Sequence, residues 1–294
     1  MTIVSERDPV AELLADLGPE VDRWIANGAC TLIDRHRDEW SPHEIREGLS
    51  DLYRLSGGDC AYDRPSIGAS YALWYHGQRV QQILRHVLTY LRSPSPPSRI
   101  IDVGCGTGAT AWAVALGAAA TRAAGEDPPT GVEVHGVDAS PFMTEAARCM
   151  WDSLRRGLAG ASLGAIDVKA RFDRRSWTEG GFDGDGALVV ASYLFDHSDG
   201  GYVDELVEQF IRLADAHEAS GALLTTAKMK EATLERIASS LCESGWAPRE
   251  VEVVPVLWKG SLSTCEQARS AWYAANGSTE SAAPDWLGGR MAVR

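Results

Sequence analysis

The chain has 294 residues, of which 28 are basic and 41 acidic, giving a formal net charge of −13. This length can bury a substantial core and suits one α/β domain with a helical appendage. The charge disfavours a nucleic-acid partner, because a phosphate backbone is repelled by an acidic protein. No apolar run approaches the roughly 20 residues of a membrane helix. The first residues also lack the basic and apolar regions of a signal peptide. The sequence therefore predicts a cytoplasmic protein without a membrane partner.

Helical patterns occupy the first part of the chain. Apolar residues recur at the helical period over 71–92 and predict one amphipathic helix there, after shorter helices over 10–26 and 43–55. The proline-rich stretch 93–98 must end the long helix, because proline cannot continue it. The sequence thus predicts a helical region over 1–92 and a second region over 99–294.

Strand and helix patterns alternate after this boundary. Short apolar runs predict strands at 99–103, 132–137, 165–172, 187–193 and 222–226, with helices at 110–124, 141–158, 203–216 and 228–243. Further strands are expected at 251–258 and 290–293. Such alternation predicts an α/β fold with a mostly parallel, doubly wound sheet, finished by an antiparallel strand.

The first of these strands runs into a glycine-rich turn. Ile100-Ile101-Asp102-Val103 is followed by Gly104-Cys105-Gly106-Thr107-Gly108 and an alanine-rich helix. Glycines let the backbone approach a ligand closely, and a helix N-terminus offers free N–H groups. The spacing also satisfies the permissive dinucleotide pattern G-x-G-x-x-G/A. However, Asp102 would repel a pyrophosphate and attract a ligand that carries a cationic group.

Two motifs resemble those of class I (Rossmann-like) S-adenosylmethionine-dependent methyltransferases. Residues 102–108 match the family's E/D-x-G-x-G-x-G motif, and Gly136-Val137-Asp138-Ala139-Ser140 matches its second strand. The resemblance covers roughly residues 99–260 and implies a seven-stranded sheet with S-adenosylmethionine as the cofactor. Asp138 lies 30 residues beyond Gly108, where about 20 is usual in analogous nucleotide folds. A polar insertion within 119–131 explains the excess.

The resemblance also implies roles for individual residues at the cofactor. Asp102 would orient the methionyl ammonium group, and the backbone of Gly104, Cys105, Gly106 and Gly108 would cradle the cofactor. Asp138, followed by Ala139, would accept hydrogen bonds from the two ribose hydroxyls. At the third strand, Phe172 and Asp173 are candidates for adenine contact, although a core phenylalanine and a surface aspartate are equally acceptable interpretations.

The reaction side of the site is expected at the fourth strand. Ligands of open α/β sheets bind beyond the carboxyl ends of the strands, which places Ser192 and Tyr193 beside the transferable methyl group. Asp196 and His197 follow and could act as a general base, or His197 could cap the next helix.

Shielding of the site is expected from the aromatic segment that precedes the long helix. Tyr71, Tyr75 and His76 are candidates for a lid that contacts the acceptor, with Tyr75 also a candidate catalytic residue. Each of the three could instead pack within the helix. Trp258, Trp272 and Tyr273 could form another wall. The six cysteines show no metal-ligand spacing, and no metal is expected.

These features predict a methyltransferase that acts on a small molecule, plausibly a natural-product intermediate. An rRNA or tRNA methyltransferase is the first alternative, and it requires a basic patch at 169–175 that is continuous with the pocket. A protein that binds the cofactor without turnover is the second, and alkyl transfer of the spermidine-synthase type is a minor third. The sequence carries no signal for the oligomeric state.

Overall fold

A computed structural model describes residues 8–41, 43–45, 47–48, 62, 64–161, 163, 166–182, 186–197, 202–225, 231–249 and 289–293. Within these ranges the helices are α1 (Pro9–Arg35), α2 (Ile67–Tyr71), a π-helical turn (Ala72–His76), α3 (Gly77–Leu91), α4 (Ala109–Ala123), α5 (Pro141–Gly160), α6 (Tyr202–Ala216) and α7 (Glu231–Glu243). Short 3-10 turns lie at Trp177–Glu179 and Leu194–His197. The strands are β1 (Arg99–Val103), β2 (Val132–Asp138), β3 (Val168–Arg174), β4 (Leu188–Ser192), β5 (Gly221–Thr225), β6 (Ala247–Arg249) and β7 (Gly289–Val293).

The strands form one sheet in the order β3-β2-β1-β4-β5-β7-β6. The five strands from β3 to β5 are parallel, and β7 pairs antiparallel with both β5 and β6. The predicted α/β class and mostly parallel sheet are confirmed, as is the antiparallel strand near the end of the chain. The short strand β6 had no counterpart in the sequence prediction, whereas the predicted strand 251–258 lies outside the described residues.

The strand order places a crevice between β1 and β4. The chain builds β1, β2 and β3 outward in one direction, then returns to add β4 on the other side of β1. Connections that leave two neighbouring strands in opposite directions open a crevice at the carboxyl ends of those strands, and ligands of open α/β sheets bind there. A ligand site is therefore expected at the tips of β1 and β4.

Helices cover both faces of the sheet. One core contains buried residues of α1, α3, α4 and α5, and the other contains those of α6 and α7. Because α1 and α3 share the first core with the sheet, the N-terminal helices are packed into the same body as the strands. Gly117 of α4 sits against α3 so closely that an added Cβ would lie 2.7 Å from Leu91 Cδ1.

The helix predicted at 71–92 forms, but it differs from a simple amphipathic helix in two ways. A π-helical turn, Ala72–His76, interrupts it, and such turns are frequent at functional sites. Moreover, the polar side chains of Gln81, Gln82 and His86 are buried, although the amphipathic pattern predicted a solvated polar face. The reason is that packing surrounds α3 on more than its apolar side.

Candidate active site

The turn between β1 and α4 is built by three glycines with left-handed backbone. The φ angles of Gly104, Gly106 and Gly108 are +65°, +53° and +80°, a region that only glycine adopts at little cost. The Cys105 amide donates to the Val137 carbonyl at 2.9 Å, and the Gly108 amide donates to the Cys105 carbonyl at 2.9 Å. The turn is thus a compact loop held against β2, with the N-terminus of α4 directly behind it.

Asp102, near the tip of β1, is a buried carboxyl group without a full set of partners. Its side chain is 2% exposed, and within the described residues Oδ1 has no hydrogen-bond partner. Burial raises the pKa of Asp102 to about 7, the Thr110 side chain partly offsets this, and the nearby carboxylate of Asp138 adds to it. A buried carboxyl group in this state favours any ligand that brings a cationic donor.

Other polar atoms near the turn also lack partners in the described part of the chain. They are Trp112 Nε1 and His76 Nε2. The His76 ring packs edge-on against Trp112 at 4.8 Å between centroids, and its Nδ1 lies 2.9 Å from Thr107 Oγ1 of the turn. Burial lowers the pKa of His76 to about 3, so the ring is neutral. Native proteins leave few buried polar atoms unpaired, and such a group of them is typical of a site for a polar ligand.

Asp138, at the tip of β2, is already engaged by backbone. Its Oδ2 accepts from the Gly106 amide at 3.0 Å and its Oδ1 from the Ser140 amide at 2.9 Å. Burial raises the pKa of Asp138, and these two hydrogen bonds act in the opposite direction. The carboxylate therefore ties the glycine turn to β2. Each oxygen keeps a further lone pair, and the group is partly exposed next to the exposed Ala139.

Cys105 and Phe172 are packed behind the turn. Both are buried, and Gly136 of β2 leaves room for them, since an added Cβ there would lie 2.8 Å from the Phe172 ring and 2.9 Å from Cys105 Cβ. The Phe172 ring also lies close to Gly108, where an added Cβ would be 3.0 Å from the ring. With 4% of its surface exposed, Phe172 packs in the core, and its adenine contact stays a prediction. Cys105 contributes to the cradle only through its backbone.

Asp173 lies on the other face of the sheet from Phe172, and its adenine contact stays a prediction. Neighbouring side chains of a strand point to opposite faces, and Phe172 occupies the face of α4. Asp173 Oδ2 instead lies 2.7 Å from His135 Nε2, and the His135 ring packs edge-on against Phe182. This pair supports the edge of the sheet.

Ser192 and Tyr193 form the tip of β4 and are brought next to the turn, because β4 pairs directly with β1. Ser192 Oγ lies 2.8 Å from Thr225 Oγ1, and the Tyr193 amide donates to the Thr225 carbonyl at 2.8 Å. Tyr193 has a φ of +62°, an uncommon backbone conformation for a residue of this size. Its phenol donates to Gln82 Oε1 of α3, which fixes the buried ring across the crevice.

The two candidate bases follow in the 3-10 turn Leu194–His197. The side chains of Asp196 and His197 lie outside the described part of the chain, so their role stays a prediction. The same applies to the wall predicted at Trp258, Trp272 and Tyr273, which are outside the described residues. Leu194 is placed against the turn, at 2.8 Å from the position of an added Gly104 Cβ.

The segment before α3 covers the tips of β1 and β2. The Tyr62 carbonyl accepts from Ser140 Oγ, and α2 lies so close to α5 that an added Cβ on Gly68 would be 2.6 Å from the Phe142 carbonyl oxygen. Aromatic side chains of this segment pack with Phe142 and Met143 at the start of α5: Tyr62, Tyr71, Trp74, Tyr75. The candidate lid residues therefore sit over the turn, while motion of this segment as a lid remains a prediction.

Arg79 is a feature of the site that the sequence analysis missed. Its guanidinium lies over the Tyr193 ring and 5.1 Å from the centroid of the Tyr75 ring, and its Nε donates to the Tyr71 hydroxyl at 3.4 Å. A signal for it does exist in the sequence. His76, Arg79, Gln82 and His86 are spaced by three, three and four residues, which places four polar residues on one face of a largely buried helix.

The basic cluster at 169–175 lies on β3 and the residues just after it, at the edge of the sheet. Arg171 Nη2 lies 2.9 Å from His135 Nδ1, and Arg175 donates to the Gly181 carbonyl at 3.0 Å. Protein groups thus engage two of its arginines. In the part of the chain that is described, no group of histidine, cysteine and acidic side chains has the arrangement of a metal site. Likewise, none of the described helices is both long and apolar enough to cross a membrane.

Comparisons with known proteins add the following. No family model and no curated protein matches the chain. Similar solved structures include the plantazolicin methyltransferase BpumL in complex with SAH, at 11% identity, covering 97% of this chain and 98% of that one, with a TM-score of 0.42. A SAM-dependent methyltransferase from Thiobacillus denitrificans is 18% identical over 72% of this chain and 91% of its own, with a TM-score of 0.40. The ribosomal protein L11 methylase from Lactobacillus delbrueckii subsp. bulgaricus is 16% identical, covering 74% of this chain and 79% of its own, with a TM-score of 0.37.

The chain is therefore similar to methyltransferases of known structure. Because the three TM-scores lie below 0.5, we rest no functional conclusion on these similarities.

Proposed function

We propose that this protein is an S-adenosylmethionine-dependent methyltransferase that acts on a small molecule. The observation that carries the proposal is Asp102, a buried carboxyl group that lacks a partner for Oδ1 within the described residues and lies directly beneath a left-handed glycine turn. Such a group suits the ammonium of the cofactor's methionyl tail and opposes a pyrophosphate. A dinucleotide is therefore the wrong ligand for this turn.

The residues at the β1 and β2 tips fit this cofactor. Asp102 would bind the ammonium, and the backbone of Gly104, Gly106 and Gly108 would lie against the methionyl tail. Asp138 would accept hydrogen bonds from the ribose hydroxyls with the lone pairs that its two backbone contacts leave free. When bound, S-adenosylmethionine supplies a methyl group on a sulfonium, which is a good leaving group.

The protein's part in the reaction is then mainly to position the acceptor. Holding two reactants in line at near-attack distance supplies a large share of the acceleration in a displacement reaction. Tyr193 is suited to this task, because its hydrogen bond to Gln82 and its contact with Arg79 hold the ring rigidly beside the crevice. Tyr75 borders the same place and is proposed to contact the acceptor. A general base is proposed only at Asp196 or His197.

A small acceptor is favoured over RNA by what covers the site. The segment from Tyr62 to His76 packs onto both Ser140 and Thr107, so the tips of β1 and β2 lie beneath it. A folded RNA also requires a basic approach, whereas the formal net charge is −13.

The experiment that tests this proposal is transfer of a labelled methyl group from S-adenosylmethionine into a host lysate. The small-molecule, protein and RNA fractions are separated afterwards, and Asp102→Asn serves as the control for label that does not depend on the site. We expect label in the small-molecule fraction with the wild-type protein only. Label confined to RNA would contradict the choice of acceptor. Tight binding of the cofactor with no labelled fraction would contradict the enzymatic activity itself.

A further inference from the structure

Arg79 carries a positive charge that no acidic group of the described chain balances. The guanidinium is packed among the phenol rings of Tyr71, Tyr75 and Tyr193. Burial acts to lower the pKa of Arg79, but the three phenols outweigh it and raise this pKa above its ordinary value. Within the described residues no carboxylate forms an ion pair with it. An arginine stays protonated at all working pH values, and a partly buried charge without a counter-ion is stabilised when an anion accompanies it.

Within the described residues, no hydrogen bond engages the two terminal nitrogens of Arg79. Nε is directed to the Tyr71 hydroxyl, so the two terminal nitrogens keep four N–H donors in one plane. This planar fork matches the two oxygens of a carboxylate. Stacking on the Tyr193 ring and contact with Tyr75 hold the plane in one orientation, which lowers the entropy lost when an anion binds.

The position of Arg79 is at the wall of the crevice. It lies one helical turn after His76, which contacts Thr107 of the glycine turn, and it covers Tyr193 at the tip of β4. The guanidinium is therefore beside the tip of β4, and the residues just before its helix contact the glycine turn that follows β1. A ligand seated between the β1 and β4 tips would have its far end near Arg79.

We propose that Arg79 is the anion-binding residue of this crevice and that it receives a ligand carboxylate in a bidentate hydrogen bond. The inference rests on the proposed function. The carboxylate has two possible sources, the amino-acid tail of the cofactor and an acidic acceptor. In either case the crevice presents the carboxyl group of Asp102 and the guanidinium of Arg79 to a zwitterionic or acidic ligand.

The test measures binding of two probes by isothermal titration calorimetry. S-adenosylhomocysteine carries the amino-acid tail, and 5′-methylthioadenosine has the same nucleoside without it. The variants are Arg79→Gln, which removes the charge, and Arg79→Lys, which keeps the charge but lacks the planar pair of terminal nitrogens. Arg212→Gln, on the exposed face of α6, is the matched control. A third titration adds acetate, and acetamide as its neutral analogue, to protein saturated with S-adenosylhomocysteine.

If the cofactor supplies the carboxylate, Arg79→Gln weakens S-adenosylhomocysteine by about tenfold to hundredfold and leaves 5′-methylthioadenosine unchanged. If the acceptor supplies it, both nucleosides bind normally, and acetate binds the wild type but not Arg79→Gln. Arg79→Lys gives an intermediate loss in either case. The proposal is overturned if neither nucleoside nor acetate binding depends on residue 79. If the wild type binds neither nucleoside, the proposed function is contradicted instead.

Discussion

The tips of β1 and β2 each carry an aspartate, yet the two carboxyl groups are in opposite situations. Asp138 accepts one backbone N–H on each oxygen and holds the glycine turn against β2. Asp102 is more deeply buried, has an unpartnered Oδ1 in the described structure, and has a pKa raised to about 7. Two aspartates that look alike in the sequence are therefore a structural support in one case and an incomplete site in the other.

This difference indicates where the protein gives up stability for binding. The folded-state pKa of Asp102 is raised, so the folded protein holds this proton more tightly than the unfolded chain does. The contribution to stability is then favourable below the unfolded pKa and is lost as the pH rises through about 7. A cationic ligand would recover this loss, whereas Asp138 needs no ligand to be satisfied.

The largest expected effect is that of Asp102→Asn. We expect S-adenosylhomocysteine to bind about tenfold to 150-fold more weakly, because a charge-assisted hydrogen bond is lost. At pH 8 the free protein should become more stable by about 1–3 kcal/mol, since a buried charge is removed. Calorimetry measures the affinity and thermal unfolding the stability. An Asp102→Asn protein that is less stable than the wild type at pH 8 and binds normally would contradict this account.

Asp138→Ala should behave differently and thus sharpens the comparison. We expect a loss of about 1–3 kcal/mol in the free energy of unfolding, because the Gly106 and Ser140 amides lose their acceptors. Affinity for S-adenosylhomocysteine should also fall by about 1.5–3 kcal/mol if Asp138 binds the ribose. Chemical denaturation and calorimetry measure the two quantities. Unchanged affinity with reduced stability would show that Asp138 has only the structural role.

The contrast between these variants marks what the sequence could and could not predict. Asp102 and the three glycines lie in one short motif, and Asp138 lies in a second one, so local sequence was sufficient to find them. Asp138 is satisfied in part by the Gly106 amide, 32 residues away in the chain, and local sequence does not report such a contact. Strand alternation places Phe172 and Asp173 on opposite faces of the sheet, and the sequence alone left the role of each open. Arg79 was missed because its three tyrosine neighbours meet only after α2, α3 and β4 pack together.

The pH dependence of binding gives a smaller expected effect. Between pH 8 and pH 6 the affinity for S-adenosylhomocysteine should fall by about tenfold, because Asp102, with its pKa raised to about 7, must lose its proton to bind an ammonium. The neutral tail-free nucleoside 5′-methylthioadenosine should show no such dependence, and neither should Asp102→Asn with either ligand. Calorimetry at three pH values is the measurement. An equal dependence for both nucleosides would assign the proton to another group.

The smallest expected effect is that of Asp173→Asn. Because Asp173 pairs with His135 on the opposite face of the sheet, we expect the affinity for S-adenosylhomocysteine to change by less than about twofold. This is within the range of a substitution that is remote from the site. A loss comparable to that of Asp138→Ala would support Asp173 as a cofactor contact and would contradict the expectation drawn from its pairing with His135.

The most direct test of the central claim is a crystal structure of the protein soaked with S-adenosylhomocysteine. We expect the amino group beside Asp102 Oδ1, the ribose hydroxyls at Asp138, and the sulfur facing the tip of β4 near Tyr193. A crevice that stays empty at saturating ligand, or one that binds a nicotinamide coenzyme in its place, would contradict the assignment.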